Sequence, residues 1–328
     1  MIPEAEVFTN KLFLNAVLPL LKVVAGDVPA LSAKFAKLSG VAQVSARLPE
    51  APGAAGGAGG ARASAGSGAP GGSGGSGASG GSGGAGGSGG AGGSGAPGGT
   101  GGSGASGGSG ASGGKVGTHF VIESGVWTVA NDKVHPRPDV ELEFKSIPAM
   151  NAFFKGKISP STLPRMRGAV RSLALFAAFM QTLLKMSSLL TVKRAPADTD
   201  TQRLVVKCFF YLLTAGISQL NKLGHPEVAA WAANSPDRVY ALDVEGHPEV
   251  AAYLRVKAGQ SRSGRGVYTR ALPFFTLRFD SFASALGILL ATDDMLDATK
   301  AGRLIMDGAP EFGAQFGGFL LTVGQYVQ

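Results

Sequence analysis

The chain has 328 residues, a formal net charge of +8 at pH 7 and a single cysteine. This length favours about two domains, and one cysteine excludes an intramolecular disulfide and a zinc site built on several cysteines. The amino terminus lacks the basic start, apolar stretch and small-residue cleavage site of a secretory signal. We therefore expect a cytoplasmic protein.

The first predicted elements are an amphipathic helical region at residues 4–38 and a strand at 41–48. A glycine–serine tract follows at 51–114 and holds 33 of the 52 glycines, no aromatic residue and one charge. Such a segment buries too little apolar surface to offset its conformational entropy, so a flexible coil is predicted. Because a strand is predicted on each side, we interpret the tract as a disordered loop inserted between the first two strands of a domain.

Two later segments, 140–146 and 275–281, have the same layout 135 residues apart. In each, apolar and polar residues alternate, which predicts a strand with one buried face. Each segment ends in a serine, whose hydroxyl caps a helix by accepting hydrogen bonds from the free amides of the first turn. Helices are therefore predicted at 147–156 and 282–290.

A third pair of segments, 163–168 and 303–308, predicts short strands closed by glycine, each followed by a long apolar helix. The apolar runs of these helices, 173–184 and 312–327, are shorter than the roughly 18 uncharged residues that span a bilayer, so core helices are expected. Glycines within the last helix lower its helix propensity, and they fit either close packing or a loose lid over a ligand. They are Gly313, Gly317, Gly318 and Gly324.

The repeated order of elements predicts two domains, residues 1–195 and 196–328, linked by the polar stretch 193–200. The second domain opens with a helical region at 201–233 and a strand at 238–244. Because strands and helices occur in one repeated sequence in both halves, the expected fold class is α+β.

Three motifs of the first half occur in a fixed order. They are Gly-Val-Trp-Thr-Val at 125–129, Pro-Asp-Val-Glu-Leu at 138–142 and Ala-Phe-Phe-Lys-Gly-Lys at 152–157. In these motifs the chain resembles the sterol carrier protein type 2 family, over residues 4–190 without the tract. The second half lacks the tryptophan and the Pro-Asp pair, and would be the more divergent of two tandem copies.

The resemblance implies two sterol-carrier-like domains, each a mostly antiparallel five-stranded sheet covered by helices. It also implies an apolar tunnel between the sheet and the last helix that takes a sterol, a fatty acyl group or a phospholipid. The expected tunnel walls are apolar residues of the buried strand faces and the inner sides of the last helices. They are Leu142, Phe144, Phe153, Met166, Phe176, Phe179, Met180 and Leu183 in the first half, and Leu277, Phe279, Met306, Phe312, Phe316 and Phe319 in the second.

No cluster of acids, bases or nucleophiles points to catalysis. His225 and His247 lie in a repeated Gly-His-Pro-Glu-Val string and are interpreted as exposed turn residues, and Asp293, Asp294 and Asp297 as charges at a helix start. Non-catalytic binding or intracellular transfer of a lipid is therefore predicted, with no cofactor and no metal. Two alternatives stay open: a scaffold protein with filled cores and a flexible glycine–serine spacer, and an accessory subunit that presents lipid to an enzyme.

Charge is distributed unevenly between the halves. Residues 1–50 and 115–195 carry 17 Lys and Arg against 9 Asp and Glu, whereas residues 196–328 carry 12 against 13. A basic half favours anionic partners, so we expect transient contact of the first domain with an anionic membrane surface. No recognition helix or RNA-binding signature accompanies the basic residues, and no nucleic-acid partner is expected.

Overall fold

The computed structural model describes residues 2–49 and 114–327. These residues form a mixed α+β fold in which helices pack against two five-stranded sheets, and this confirms the predicted fold class. The coil predicted at 51–114 lies outside the described residues, apart from Gly114.

The first half begins with helices and continues into the first sheet. Its helices are α1 (Glu4–Leu12), α2 (Leu20–Asp27), α3 (Pro29–Phe35), α4 (Ile147–Phe154) and α5 (Leu173–Leu190), with a π-helical turn at Phe13–Val17. Its strands are β1 (Ser39–Arg47), β2 (Lys115–Glu123), β3 (Val126–Ala130), β4 (Val140–Phe144) and β5 (Arg165–Arg167). The helical region predicted at 4–38 is divided into shorter helices near Pro19 and Pro29, because proline lacks an amide hydrogen and is poorly accommodated inside a helix.

The strand order of the first sheet is β3-β2-β1-β4-β5. β1 pairs antiparallel with β2, from Ser39 opposite Glu123 to Arg47 opposite Lys115, and parallel with β4. The other pairs are antiparallel, so the sheet is mostly antiparallel, as predicted. The two strands that flank the glycine–serine tract are therefore paired with each other, with Arg47 at the end of β1 opposite Lys115 at the start of β2.

The second half repeats this arrangement. Its helices are α6 (Thr199–Lys222), α7 (Pro226–Asn234), α8 (Phe282–Leu289), α9 (Met295–Lys300) and α10 (Pro310–Val327). Its strands are β6 (Arg238–Val244), β7 (Ala252–Lys257), β8 (Gln260–Arg265), β9 (Phe275–Phe279) and β10 (Leu304–Asp307). They lie in the order β8-β7-β6-β9-β10, with β6 and β9 parallel and the other pairs antiparallel. Counted along the chain, this is the strand order of the first sheet.

The two predicted serine caps are present. The hydroxyl of Ser146 accepts a hydrogen bond from the amide of Ala149 at 3.3 Å, and that of Ser281 accepts one from the amide of Ser284 at 3.2 Å. These caps fix the starts of α4 and α8 directly after the strands β4 and β9. Each of these two strands is thereby followed at once by a helix that packs on its own sheet.

One continuous apolar core runs through both halves. Helix α6 contacts the π-helical turn, α2 and α5 of the first half as well as β8 and α10 of the second. Helices α1 and α10 meet where Phe8 packs edge-on against Tyr326, with ring centroids 5.7 Å apart. The boundary between domains at residues 195 and 196 stays a prediction, since both sheets belong to one compact unit.

Three helical segments are long and apolar enough to cross a membrane, judged by length and composition: Glu4–Asp27, Leu173–Leu190 and Thr199–Lys222. Of the 18-residue apolar stretch in each segment, 72% is buried in the first and third segments, but only 39% is buried in Leu173–Leu190. The prediction that the run at 173–184 is too short to span a bilayer is wrong for α5 as a whole, because this helix continues through two serines to Leu190 and reaches 18 residues. Helix α5 is thus an apolar helix with one exposed side.

Candidate functional site

Most of the predicted wall residues lie in the apolar core. Eight of the fourteen are at most 8% exposed, five are partly buried against the core, and Met166 is 50% exposed. The buried residues are Leu142, Phe144, Phe179, Leu183, Leu277, Phe279, Phe316 and Phe319, and the partly buried ones are Phe153, Phe176, Met180, Met306 and Phe312. Met166 lies opposite Leu142 on the edge strand β5, so it borders open solvent rather than an enclosed space.

In the first half, Phe179 of α5 packs against aromatic residues of two strands. Its ring centroid lies 5.7 Å from that of Phe120 on β2 and 6.5 Å from that of Trp127 on β3. Phe35 of α3 completes the group, 4.8 Å from Trp127. These four residues, the first aromatic cluster, occupy the layer between the sheet and the helices α3 and α5.

The second half has a corresponding group on its own last helix. Tyr240 of β6 stacks on Phe316 of α10 at 5.3 Å, and Trp231 of α7 lies 5.0 Å from Phe319 of α10. Trp231 and Tyr240 are themselves 5.3 Å apart. These four residues form the second aromatic cluster, between the sheet and the helices α7 and α10.

Each aromatic cluster contains a buried polar atom that has no hydrogen-bond partner among the described residues: Nε1 of Trp127 and Oη of Tyr240. Trp127 is 3% exposed and Tyr240 is 1% exposed. Buried polar groups are rarely unpaired, and leaving one unpaired costs about 1–3 kcal/mol. A polar atom of a bound molecule would remove this cost.

Neither of these polar atoms is among the site residues predicted from the sequence. Trp127 is a motif residue there, although its place two residues before Val129 in an alternating strand signals a buried side chain. Tyr240 lay in a predicted strand without a clear alternation. No sequence pattern states whether a buried Trp or Tyr finds a partner, because partners come from distant segments.

The glycines of α10 have two different environments. A Cβ added at Gly313 would lie 2.7 Å from Cζ of Phe275, so close packing explains this glycine. At Gly317, Gly318 and Gly324 the added atom would meet no described atom within 4 Å. Close packing therefore does not explain those three, and the loose-lid interpretation stays a prediction for them.

Two clefts on the described surface are of particular interest, and none of the predicted wall residues lines either of them. The first is an apolar groove of about 330 Å³ between α3 and α5, bordered by Lys34, Lys37 and Ala178. Nζ of Lys34 donates across this groove to Oε1 of Gln181 at 2.6 Å. The second is a polar cleft of about 350 Å³ lined by residues of both halves.

Two carboxylates are buried on β4, Glu141 and Glu143. Glu143 is surrounded by Nε of Arg47 at 2.7 Å, Nζ of Lys115 at 3.1 Å and Nε of Arg167 at 2.6 Å. Burial by itself raises the pKa of Glu143, but the hydrogen bonds from Arg47 and Lys115 outweigh it and lower the pKa to about 2. An acid that stays ionised at neutral pH cannot donate a proton there, so this network is better suited to holding strands together than to acid–base catalysis.

The acidic trio stands at a helix start, as interpreted from the sequence. Asp294 caps α9 by accepting hydrogen bonds from the amides of Leu296 and Asp297, and Asp293 forms an ion pair with Arg303. Within residues 2–49 and 114–327, no group of three or more His, Cys, Asp and Glu side chains could hold a metal ion.

The two loop histidines are less exposed than expected, because each packs on an aromatic ring. His225 lies 5.6 Å from Phe8, and His247 lies 4.3 Å from Phe282. The thiol of Cys208 is fully buried in α6, and burial raises its pKa to about 12. It is therefore a protonated packing group rather than a nucleophile.

No protein-family model matches this chain, and no curated protein matches it. Among solved structures, the chain has a likeness to a stereoselective inverting sec-alkylsulfatase from Pseudomonas sp., with 13% sequence identity and a TM-score of 0.23. The alignment covers 47% of this chain and 28% of the sulfatase, so the chain spans less than a third of that protein's length. At this TM-score the likeness carries no argument about function.

Proposed function

We propose that the protein binds a lipid-like molecule without catalysing a reaction, in the layer between a sheet and its last helix. The ligand class is a sterol, a fatty acyl group or a phospholipid. The observation that supports this most strongly is the unpaired Nε1 of Trp127 and Oη of Tyr240, each buried among aromatic rings. A molecule with a large apolar body and a polar oxygen complements such a site.

The two polar atoms require ligand oxygens with different hydrogen-bonding roles. The indole Nε1 of Trp127 only donates, so it needs an acceptor oxygen, whereas the Tyr240 hydroxyl both donates and accepts. Burial of about 300 Å² of apolar ligand surface contributes about 7 kcal/mol before the costs of association. The apolar body supplies most of the affinity, and the oxygen fixes the orientation.

Entry of a ligand requires that aromatic rings move aside. Phe176 and Met180 of α5 are only partly buried, and Met and Phe side chains repack readily. Gly317 and Gly318 of α10 lower helix propensity by about 1 kcal/mol each and meet no described atom where a side chain would lie. Both last helices thus have features that favour opening.

The domain organisation belongs to the same proposal. The common strand order of the two sheets supports two sterol-carrier-like domains, residues 1–195 and 196–328, with the second more divergent. A cytoplasmic location and the absence of a cofactor follow from this interpretation. The proposed lipid binding requires no catalytic residue.

Native mass spectrometry of the purified protein, followed by lipid extraction, tests the proposal. Tyr240→Phe keeps the ring and removes only the polar atom, so lipid binding is expected to weaken about tenfold in the second half while the ligand-free protein stays as stable. Trp127→Phe removes the indole Nε1 and also ring volume, so its effect on lipid binding in the first half is measured together with its loss of stability. Tyr268→Phe, outside both clusters, is the matched control. If no lipid is retained or exchanged, or if neither cluster variant changes binding, the proposal is wrong.

The scaffold alternative is favoured by the contacts between rings in both clusters. Deletion of residues 51–114 distinguishes the two: lipid binding survives it in a carrier, whereas partner assembly fails in a scaffold. An accessory role in presenting lipid is the remaining alternative, and it predicts that an enzyme is recovered when the protein is isolated with its partners.

We also propose an anionic bilayer as the partner surface of the first half. Residues 144–197 carry nine Lys and Arg and no Asp or Glu. The corresponding stretch of the second half, 280–328, carries two Lys and Arg and six Asp and Glu. Only the first half therefore has a charge that complements anionic lipid.

Exposed apolar side chains lie within this basic stretch. Five of them, 50–95% exposed, follow one another from the loop after α4 to the start of α5; they are Ile158, Leu163, Met166, Val170 and Leu173. Lys157, Arg165 and Arg171 alternate with them along the chain. Apolar groups among cations are typical of surfaces that insert into the interface of an anionic bilayer.

Co-sedimentation with vesicles tests this docking surface. We expect binding to equimolar phosphatidylcholine and phosphatidylglycerol but not to phosphatidylcholine alone, with weaker binding at high salt. Val170→Ser and Leu173→Ser should reduce binding, whereas Leu272→Ser, at a 94% exposed position of the second half, should not. Equal binding to both kinds of vesicle, or self-association through this surface instead, contradicts the docking proposal.

A further inference from the structure

The polar cleft of about 350 Å³ is built by elements of both halves. The first half contributes Asn15 from the π-helical turn and Asn131 after β3, and the second contributes α6 and β8. Three basic residues line it: Lys222 at the end of α6, and Arg262 and Arg265 on β8. Three positive charges therefore gather around one small polar space.

No acidic residue lines this cleft among the described residues. Two carboxylates in neighbouring segments have basic partners of their own: Asp27 pairs with Lys207, and Asp132 pairs with Lys11. Among residues 2–49 and 114–327, no carboxylate therefore lines the cleft to compensate the charge of these three cations.

Burial lowers the pKa of two of these cations, and a like charge adds to the effect in one of them. Burial lowers the pKa of Lys222, and repulsion by Arg262 lowers it further. Burial also lowers the pKa of Arg265. Gathered like charges disfavour one another, and an anion placed between them would relieve this repulsion.

The guanidinium of Arg265 is held in place before any ligand arrives. It lies over the ring of Tyr211, 5.0 Å from the ring centroid, and its Nη2 is 3.5 Å from the carbonyl oxygen of Pro19. The Tyr211 hydroxyl in turn donates to the carbonyl of Glu249 at 3.2 Å. Tyr211 is thus fixed at both ends, and an arginine held on it loses little freedom when it binds an anion.

We propose that this cleft binds a small phosphate-bearing anion. Planar guanidinium groups and a lysine ammonium are the side chains that recognise phosphate oxygens. The amides of Asn15 and Gln219 add neutral hydrogen-bonding groups to the lining. This inference goes beyond the proposed function, because the cleft shares no residue with either aromatic cluster.

Thermal unfolding of the full-length protein tests the cleft, with inorganic phosphate, inorganic pyrophosphate and acetate as probes at matched ionic strength. Phosphate and pyrophosphate should raise the Tm along a saturable curve, and acetate should not. A water-soluble short-chain phosphatidic acid, measured in parallel, shows whether the phosphate of a lipid is accepted as well as the free anion.

Arg262→Ala is the decisive variant, because Arg262 is exposed and its loss leaves the packing of Tyr211 intact. It should raise the Kd for phosphate about tenfold, whereas Arg270→Ala, at an exposed position outside the cleft, should leave the Kd unchanged. Arg265→Lys keeps a cation and should weaken binding less than Arg265→Ala.

A Tm that rises only with ionic strength, or an Arg262→Ala protein that responds like the parent, overturns the inference. Lipid retention is measured on the same samples. If the parent protein retains lipid but does not bind phosphate, the cleft proposal alone is rejected. If it binds phosphate but retains no lipid, the lipid proposal alone is rejected.

Discussion

Glu143 illustrates how surroundings set the behaviour of one residue. The carboxylate is only 1% exposed, yet three cations contact it from β1, β2 and β5, so its ionised form is favoured. These contacts tie four strands of the first sheet together through one side chain. From the sequence, Glu143 is a polar residue of an alternating strand and would be expected in solvent.

The low pKa of Glu143 predicts how stability depends on pH. Its pKa is about 2 in the folded protein and near 4.5 in the unfolded chain, so its contribution is fully present above pH 4.5 and is lost as pH falls towards 2. We expect the urea midpoint to fall more steeply over this window in the parent than in Glu143→Gln. Glu123→Gln, at an exposed position, should keep the parent's pH dependence; a Glu143→Gln protein that also keeps it would contradict this assignment.

At the scale of elements, the pairing of α6 with α10 depends on a glycine. A Cβ added at Gly216 of α6 would lie 2.9 Å from Cγ2 of Val323 and closer still to Cγ1, and Val323 is fully buried. The two helices therefore approach each other at a distance that only glycine permits. The sequence predicts both helices but not their contact.

Gly216→Ala should destabilise the protein by about 1–3 kcal/mol, because overpacking outweighs the gain in helix propensity of about 1 kcal/mol. Gly318→Ala on the facing helix is the matched control and should be neutral or stabilising, since its added methyl meets open space. Denaturant unfolding measures both variants. If both substitutions changed the free energy of unfolding equally, the contact between α6 and α10 would have room for a methyl group and the prediction would be wrong.

At the scale of the whole molecule, we expect the apolar core shared by both halves to determine how the protein unfolds, more than the common strand order of the two sheets. Helix α6 belongs to the second half by sequence, yet it packs on the π-helical turn, α2 and α5 of the first. Separating the halves would expose apolar surface on both. We therefore expect the described residues to unfold as one cooperative unit.

The chain has one tryptophan in each half, and their fluorescence reports on the unfolding of each half. Trp231→Phe leaves Trp127 as a probe of the first half, and Trp127→Phe leaves Trp231 as a probe of the second. After correction for each substitution, fluorescence and circular dichroism should give one coincident urea transition in both variants. If the probes of the first and second halves instead gave two transitions with different urea midpoints, the result would support independent domains at 1–195 and 196–328.

The sequence by itself determined the fold class, the strands at 140–146 and 275–281 with their serine caps, and the position of the glycine–serine tract between two strands. Alternation, caps and turn glycines are local signals, and local signals suffice for elements whose bounds depend on neighbouring residues. Only the tertiary structure decided that Trp127 and Tyr240 lack partners, that Glu143 is surrounded by cations, and that Lys222, Arg262 and Arg265 face one cleft. Each of these depends on side chains distant in the chain, and which distant residues meet is settled by how the sheets and helices pack.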